Sequence, residues 1–258
     1  MTPGLSTACF YPMQTEEALL KVGQLGFSKT EVFFNSMSEL KPKFLKTLVQ
    51  IQNQYGIRIN SIHPMASFAE SYMLFSTYER RFFDTIEFYK SYFEAANILG
   101  AKIVVIHGSK TPGVIESNEY FERFGILINE GLKQGIIVAH ENVVSTMGQS
   151  PQCMVDMKNA IGDDFKIVLD IKQSIRSGYS PNEFVDNLYD KIVQVHISDH
   201  NEQCDCLPPG EGDFNFGGFI KNLSNKGYKG DYIIELYNNS FSCNEQLLTA
   251  KNYIEDLK

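Results

Sequence analysis

Four short apolar segments of this chain each end in a side chain that can act as an acid, a base or a metal ligand. The four terminal residues are Glu141, Asp170, His196 and Glu235. A charge at the end of a buried segment is costly unless it is paired or bound to a cation. Three carboxylates and one imidazole suit Mn, Mg, Co or Zn, and the donor types alone do not choose among these metals. We therefore predict that these four residues share one divalent metal ion.

Strand-like and helix-like segments alternate along the whole chain, which explains how donors so far apart in sequence can meet. The predicted strands cover residues 5–10, 30–34, 58–63, 102–107, 136–141, 166–170, 192–196 and 232–236. One predicted helix begins at Thr15 and ends before Gly26. The other predicted helices cover residues 40–55, 78–99, 119–134, 151–161, 181–188, 215–226 and 244–257. Strands that alternate with helices in this way favour a parallel sheet, whose strands all end at one face.

Eight strand–helix units in 258 residues, without a linker or a change of composition, predict one domain over residues 1–258. Its predicted fold is the α/β class, as a single closed (β/α)8 TIM barrel. An open doubly wound sheet is the alternative, but it requires a glycine-rich turn after the first strand, and residues 8–13 contain no glycine. The active site of such a barrel lies at the C-terminal ends of its strands, where His63 and His107 join the four donors.

Three other polar residues near these strands are not expected to belong to the site. Glu31 lies at the start of its strand and is predicted to form a salt bridge. His140 points away from Glu141, because side chains alternate along a strand. His200 begins the long loop 200–214, where we expect it to contact solvent. A loop of this length in a compact domain is typical of a functional or mobile segment.

The composition argues against several classes of protein. Lys and Arg number 23 against 31 Asp and Glu, which gives a net charge of −8 and disfavours nucleic acid as a partner. No apolar run reaches 18 residues, so we expect no membrane span. The N-terminus does not resemble a signal peptide. Five cysteines without a regular framework favour reduced thiols and a cytoplasmic protein.

The residues around the strand ends form an ordered set of short motifs. They are Ser61-Ile-His63-Pro, Val105-Ile-His107-Gly, His140-Glu141-Asn142-Val, Leu169-Asp170-Ile, Val195-His196-Ile-Ser-Asp199, Pro209-Gly-Glu-Gly-Asp213-Phe and Ile234-Glu235. Together they resemble the xylose isomerase-like TIM-barrel superfamily, which holds sugar-phosphate isomerases and epimerases, ketose 3-epimerases and endonuclease IV. The resemblance implies that the four donors hold one divalent metal ion. It also implies that two of them, Glu141 and Glu235, act as the catalytic acid and base.

Three departures from the family pattern reduce the number of family activities that we expect of this chain. Members commonly have a histidine three residues after the strand-six aspartate, where this chain has Gln173, which can bind a hydroxyl but is a poor metal ligand. Ketose 3-epimerases have an arginine in the loop after the strand-seven histidine, and this chain has none there. Endonuclease IV has an Asp-x-His pair where Cys204-Asp205-Cys206 stands, so we do not expect nuclease activity.

The resemblance thus implies a metal-dependent isomerase or epimerase that acts on a small carbohydrate, either a sugar or a sugar phosphate, through an enediolate. The predicted substrate contacts are His63, His107 and Gln173. Two interpretations are open for Phe10, Phe34 and Phe68, which are an apolar lip over a sugar face and ordinary packing in the core or at the surface. A metal-dependent dehydratase or lyase of an inositol-type ketone is an alternative, as is a binding protein with a decayed site. The substrate, the metal and any homo-oligomer stay open.

Overall fold

Eight parallel strands close into one barrel in the computed structural model, which describes residues 1–65 and 69–257. Each strand pairs with the next in the chain, and the last pairs with the first. The strands are β1 (Gly4–Ser6), β2 (Lys29–Phe33), β3 (Arg58–His63), β4 (Ile103–Ile106), β5 (Ile137–Glu141), β6 (Lys166–Asp170), β7 (Ile192–Ile197) and β8 (Asp231–Ile234). The predicted closed (β/α)8 TIM barrel is therefore confirmed.

Helices connect the strands, and local sequence sets several of their ends. The α-helices of the described residues are α1 (Thr15–Gln24), α2 (Pro42–Tyr55), α3 (Glu70–Met73), α4 (Glu79–Leu99), α5 (Ser117–Lys133), α6 (Pro151–Ile161), α7 (Ile171–Arg176), α8 (Pro181–Leu188), α9 (Phe216–Asn225) and α10 (Asn244–Asp256). The side chain of Ser150 caps α6 by accepting a hydrogen bond from Cys153 N. At the other end of a helix, Gly100 stops α4 in the left-handed region, with φ of 74°.

The structure differs from the sequence prediction mainly in the segments that directly follow strands. β1 is shorter than predicted, because Thr7–Phe10 coils into a 3-10 helix whose cap is Ser6. The short helix α7 was not predicted, and it begins immediately after β6. Asp170 caps α7 by accepting a hydrogen bond from Gln173 N. This cap occupies one carboxylate oxygen of Asp170 and leaves the other for a different partner.

The barrel interior changes from apolar to polar towards the C-terminal ends of the strands. Its apolar layer contains Val105, Ala139 and Val168, which are completely buried. Two residues further along β5 and β6, the alternation of side chains brings Glu141 and Asp170 to the same inner face. The larger apolar core lies between the sheet and the helices. The period of two along each strand therefore delivers the acidic residues to the barrel mouth.

Two further features concern the thiols and the helices. Cys9, in the 3-10 helix after β1, accepts a hydrogen bond from Leu236 N at 3.3 Å and so connects this segment to the residues after β8. All five cysteines lie in the described part of the chain, and all are free.

Within residues 1–65 and 69–257, no helix combines the length and the apolar character needed to cross a membrane.

Candidate functional site

The ends of β5 to β8 bring the four predicted ligands to one place. One donor atom from each of these residues lies within 4.8 Å of the others. His196 Nδ1 is 3.2 Å from Glu141 Oε1 and 3.2 Å from Glu235 Oε2. Its distance from Asp170 Oδ2 is 3.8 Å. Neighbouring ligands of a small octahedral cation lie about 3 Å apart and opposite ones about 4 Å, so the spacing fits a single ion.

Asp170 gives the clearest sign that the donor set fits a cation. Asn142 fixes its backbone, because Asn142 Oδ1 accepts from Asp170 N at 2.7 Å and Nδ2 donates to Asp170 O at 3.0 Å. Asp170 Oδ1 accepts from Gln173 N at 2.9 Å. Asp170 Oδ2 is buried and accepts no hydrogen bond from the residues that the structure describes. A buried polar atom without a partner is costly, and a metal ion among the four donors would satisfy it.

His196 is oriented by a polar layer inside the barrel. Its Nε2 lies 3.1 Å from Glu31 Oε2. The same carboxylate oxygen accepts hydrogen bonds from Ser61 Oγ at 2.7 Å and from Gln194 Nε2 at 2.8 Å. A carboxylate at Nε2 favours the proton on that nitrogen and leaves the Nδ1 lone pair facing the other donors. The polar partner of Glu31 is therefore a residue of the candidate site, and this contact is the predicted salt bridge only when His196 is protonated on both nitrogens.

The pKa values of three of the four donor residues are shifted in ways that favour a positive charge between them. Burial raises the pKa of Asp170 to about 7. Burial lowers the pKa of His196, but Glu31 and Glu235 outweigh burial and hold it well above its ordinary value. Burial raises the pKa of Glu235, but His196 and Lys172 outweigh burial and hold it well below its ordinary value. The cluster thus attracts a cation, whether a proton or a metal ion.

A second group of donors adjoins the first through Glu141. Glu141 Oε2 is 3.0 Å from His107 Nε2 and 3.4 Å from His63 Nε2. The two imidazole nitrogens are 2.8 Å apart, so a proton or a metal ion must separate their lone pairs, and the spacing of His63, His107 and Glu141 would also suit an ion. Phe33 stacks on the His63 ring with centroids 4.5 Å apart. The histidine pair therefore holds one oxygen of Glu141 while the other oxygen faces the four-donor cluster.

A cavity of about 470 Å³ lies at this end of the barrel. Its volume is within the range of about 300–1,000 Å³ that is typical of small-molecule sites. The predicted site residues that line it are His63, His107, Glu141, Gln173 and Glu235. The other lining residues are Ala8, Tyr11, Phe33, Asn35, Met65, Lys172, Leu236 and Tyr237. The two glutamates and the predicted substrate contacts thus share one cavity.

This barrel has counterparts in known proteins. The family model for a xylose isomerase-like TIM barrel matches residues 19–257. The chain belongs to the xylose isomerase-like TIM barrel family. A curated relative, an uncharacterized protein of Methanocaldococcus jannaschii, is 26% identical over 248 residues, which cover 90% of this chain and 82% of the relative.

Two solved structures share the fold of this chain over nearly their whole length. A D-tagatose 3-epimerase-like protein is 23% identical to this xylose isomerase-like chain, with a TM-score of 0.82 over 100% of this chain and 98% of its own. An IolI protein with a bound zinc atom is 18% identical, with a TM-score of 0.80 over 100% of this chain and 98% of its own. At identities of 23% and 18%, these two similarities show a shared fold and no more.

The cavity of this xylose isomerase-like barrel has a different aromatic border from the predicted one. Phe10 and Phe34 are buried in the core, with exposed fractions of 7% and 0%, so core packing is confirmed for both and the apolar lip is wrong. Phe68 lies outside the described residues. The aromatic residues that line the cavity are Tyr11, Phe33 and Tyr237. The physical reason on β2 is the alternation of side chains, which turns Phe33 towards the interior and Phe34 towards the helices.

Helix α7 brings two polar side chains to the cavity. Gln173, a predicted substrate contact, lines it, and its Oε1 accepts a hydrogen bond from Val144 N at 3.1 Å. Lys172 is not among the predicted site residues, yet it also lines the cavity. Its Nζ lies 3.4 Å from Asp170 Oδ2 and 3.5 Å from Glu235 Oε2. The only sequence signal for Lys172 is its position two residues after Asp170. This position places Lys172 in the first turn of α7, beside the cavity.

His140 has the structural role that the sequence predicts. It is completely buried on the outer side of the sheet, where its Nε2 lies 2.5 Å from Tyr120 Oη. Its Nδ1 lies 2.8 Å from the backbone oxygen of Glu141. Burial lowers the pKa of His140 to about 4. The imidazole is therefore neutral at physiological pH and connects β5 with α5.

The loop after β7 is more ordered by its own hydrogen bonds than its composition suggests. Asp199 is buried, and its carboxylate accepts hydrogen bonds from the backbone nitrogens of Gly210, Gly212 and Phe214 at 2.9 to 3.0 Å. His200 is half-buried, with its ring 5.9 Å from that of Phe214. The expected solvent contact of His200 is therefore only partial, because the loop folds back around Asp199.

Proposed function

We propose that this protein is a metal-dependent isomerase or epimerase of a small sugar or sugar phosphate. One observation carries the proposal: Glu141 and Glu235, from β5 and β8, both line the cavity, and each has an oxygen 3.2 Å from His196 Nδ1. Two carboxylates around one cation position can exchange protons with a single substrate from two directions. Similar folds in a D-tagatose 3-epimerase-like protein and in a zinc-binding IolI protein support this choice of chemistry.

The candidate ligands of the metal ion are Glu141, Asp170, His196 and Glu235. When bound, a divalent cation would lower the energy of the negative charge that develops on the carbonyl and hydroxyl oxygens of a ketose. The donor set suits Mn, Mg, Co and Zn alike. The buried Asp170 Oδ2, which lacks a hydrogen-bond donor among the described residues, is the atom that most requires such an ion.

The proton transfers are assigned to the two glutamates. One removes the proton from the carbon next to the carbonyl, and an enediolate forms on the substrate. The other returns a proton, either to the opposite face of that carbon or to the neighbouring carbon. The first outcome is an epimerisation and the second is an isomerisation. A positioned carboxylate contributes about 10²- to 10⁴-fold to such a step.

Three further cavity residues would bind and orient. His63 and His107 hold Glu141 Oε2 and so keep its other oxygen directed at the shared cation position. The side chain of His107 is 25% exposed, which leaves room for a contact with a substrate hydroxyl. The Oε1 of Gln173 is occupied by Val144 N, so its amide nitrogen is the group available to a substrate oxygen.

Exchange of substrate protons with solvent deuterium tests the proposed function. Protein that is stripped of metal and reloaded with Mn²⁺, Mg²⁺, Co²⁺ or Zn²⁺ is incubated in D₂O with a panel of ketoses and their phosphates. We expect deuterium next to the carbonyl with at least one metal, and none after chelation. Absence of exchange with every ketose and metal contradicts the proposal. A product that has lost the mass of water indicates a dehydratase instead.

A further inference from the structure

Lys172 is a buried cation whose ammonium group makes only long contacts with the carboxylates around it. Its side chain is 3% exposed and lines the cavity. The two nearest carboxylate oxygens lie 3.4 Å and 3.5 Å from Nζ, on Asp170 and Glu235. Ammonium–carboxylate hydrogen bonds are normally about 2.7–2.9 Å long, so both contacts are long. Because an ammonium has three N–H donors, Lys172 can donate to an oxygen atom of a molecule in the cavity.

The ammonium of Lys172 is held in place by regular structure. Lys172 is the second residue of α7, whose cap is the candidate ligand Asp170. On its other side, Nζ lies 4.8 Å from the centre of the Tyr237 ring. The hydroxyl of Tyr237 accepts a hydrogen bond from Arg176 Nη1 at 2.5 Å, which connects it to the last turn of α7. Since α7 and Tyr237 fix the side chain from two directions, the ammonium has a defined position beside the donor cluster.

Lys172 also completes the charge balance of the cluster. Three ionised carboxylates are neutralised by one divalent ion together with one ammonium. Lys172 Nζ lies within 3.5 Å of a carboxylate oxygen of Asp170 and of one of Glu235, and two such neighbours favour the charged form of an amine. Without it, a negative charge that forms on a substrate would be placed in a buried site that already has a surplus of negative charge.

We infer that Lys172 is a second electrophile of the site, and that it donates a hydrogen bond to the substrate oxygen that becomes negative during proton removal. This inference rests on the proposed function. In that step the C–H bond next to the carbonyl breaks, and the proton goes to a carboxylate of Glu141 or Glu235. The electron pair forms a carbon–carbon double bond, and the carbonyl π electrons move to oxygen. Lys172 keeps its three protons throughout.

Binding measurements on Lys172→Met test the inference without relying on turnover. The matched control is Lys191→Met, because Lys191 is also 3% exposed but precedes β7 at the opposite end of the barrel, 3.0 Å from Asp163. The probes are Mn²⁺ alone, oxalate as a planar dianion that mimics an enediolate, and xylitol as a neutral polyol. Oxalate and xylitol are titrated into the Mn²⁺-loaded protein by calorimetry.

Removal of the ammonium should change the three affinities in different directions. Lys172→Met should bind Mn²⁺ more tightly, because a like charge beside two ligands is lost. It should bind oxalate about 10- to 100-fold more weakly, as expected for a lost hydrogen bond to a charged group, and xylitol with little change. Lys191→Met should match the wild type with all three probes. If Lys172→Met does not fold by circular dichroism, Lys172→Gln should give the same order of effects.

Several outcomes would overturn the inference. Equal oxalate affinity in the wild type and Lys172→Met is one, and weaker Mn²⁺ binding in the variant is another, since that is the result for a lysine that only stabilises the fold. With a ketose that the wild type exchanges, Lys172→Met should lower kcat about 10²- to 10³-fold with little change in KM. A loss confined to phosphorylated ketoses assigns Lys172 to phosphate binding and overturns the inference. A wild type that binds neither Mn²⁺ nor oxalate contradicts the proposed function as well.

Discussion

His196 Nε2 and Glu31 Oε2 lie 3.1 Å apart inside the barrel, and this pair determines which imidazole nitrogen faces the other three donors. Glu31, on β2, is itself fixed by two other strands, because it accepts hydrogen bonds from Ser61 Oγ on the adjacent β3 and from Gln194 Nε2 on β7, which does not pair with β2. A histidine ligand commonly depends on such a partner for its tautomer and its orientation. The geometry of the candidate metal site is therefore set in part by Glu31, a residue outside the four-donor group.

Replacement of Glu31 by Gln should weaken Mn²⁺ binding. The neutral amide keeps the size of the side chain but removes the negative charge that favours the proton on His196 Nε2, and we expect about 10- to 100-fold lower affinity. Calorimetric titration of metal-stripped protein measures this. The control is Glu39→Gln, which alters another buried carboxylate, bonded to Thr15 Oγ1 at 3.1 Å. An equal loss of Mn²⁺ affinity in both variants would show that Glu31 has no particular relation to the site.

The glutamates themselves give a second prediction. Glu141→Gln and Glu235→Gln should each reduce proton–deuterium exchange about 10²- to 10⁴-fold, because the amide cannot accept a proton at neutral pH. Both variants should remain folded by circular dichroism. The control is Glu130→Gln on α5, a carboxylate that pairs with Lys133 at 2.5 Å and should leave exchange unchanged. Exchange at the wild-type rate in either site variant removes that glutamate from the acid–base pair.

The adjacent phenylalanines of the second βα unit should respond differently to truncation. Phe34→Ala should lower the free energy of unfolding by about 3–5 kcal/mol, because Phe34 is completely buried and its removal leaves a cavity. Phe33→Ala should cost less stability and should raise KM, because Phe33 lines the cavity and stacks on His63. Urea unfolding and steady-state kinetics measure the two quantities. A raised KM in Phe34→Ala, together with the larger loss of stability in Phe33→Ala, would contradict the position of Phe33 at the cavity.

His140 should make the stability of the fold dependent on pH. Burial lowers its pKa from 6.5 to about 4, so between these values the unfolded chain binds more protons than the folded one. Its stabilising contribution is present above pH 6.5 and is lost as the pH falls towards 4, up to about 3 kcal/mol.

A variant separates this effect from those of other groups. Burial raises the pKa of Glu70 to about 7, so its contribution changes in the opposite sense and is lost as the pH rises from 4.5 towards 7. The decisive quantity is therefore the difference between the wild type and His140→Gln in urea unfolding at pH 7, 5.5 and 4. The wild type should lose more stability than the variant on acidification. Parallel curves would exclude His140 as the source.

The strands and the four donors could be predicted because both follow from local patterns. The apolar run of β6 stops where the charge of Asp170 appears, and the structure ends the strand at that residue. The same relation holds for Glu141 at the end of β5. Parallel strands of a closed barrel end at one face, so a prediction of the barrel already implies that these residues lie near one another.

The rest of the site depends on contacts that sequence patterns do not contain. Phe33 and Phe34 are identical in type, so only the register of β2 in the barrel decides which one faces the interior. The partners of Glu31 lie on the paired strand β3 and on β7, 30 and 163 residues away in sequence, so its interior position appears only in the closed barrel. Lys172 was missed because α7 has only six residues and no clear apolar period.

Metal titration of stripped protein tests the central claim most directly, because the claim requires one ion on the four converging donors. Mn²⁺ binding to the wild type, Asp170→Asn and His63→Gln should be compared at one protein concentration. We predict one bound ion per chain in the wild type and in His63→Gln, and none in Asp170→Asn, since Asp170 Oδ2 is a buried oxygen of the four-donor group that accepts no hydrogen bond from the described residues. A wild type that binds no ion, or binding that survives in Asp170→Asn and is lost in His63→Gln, would contradict the account.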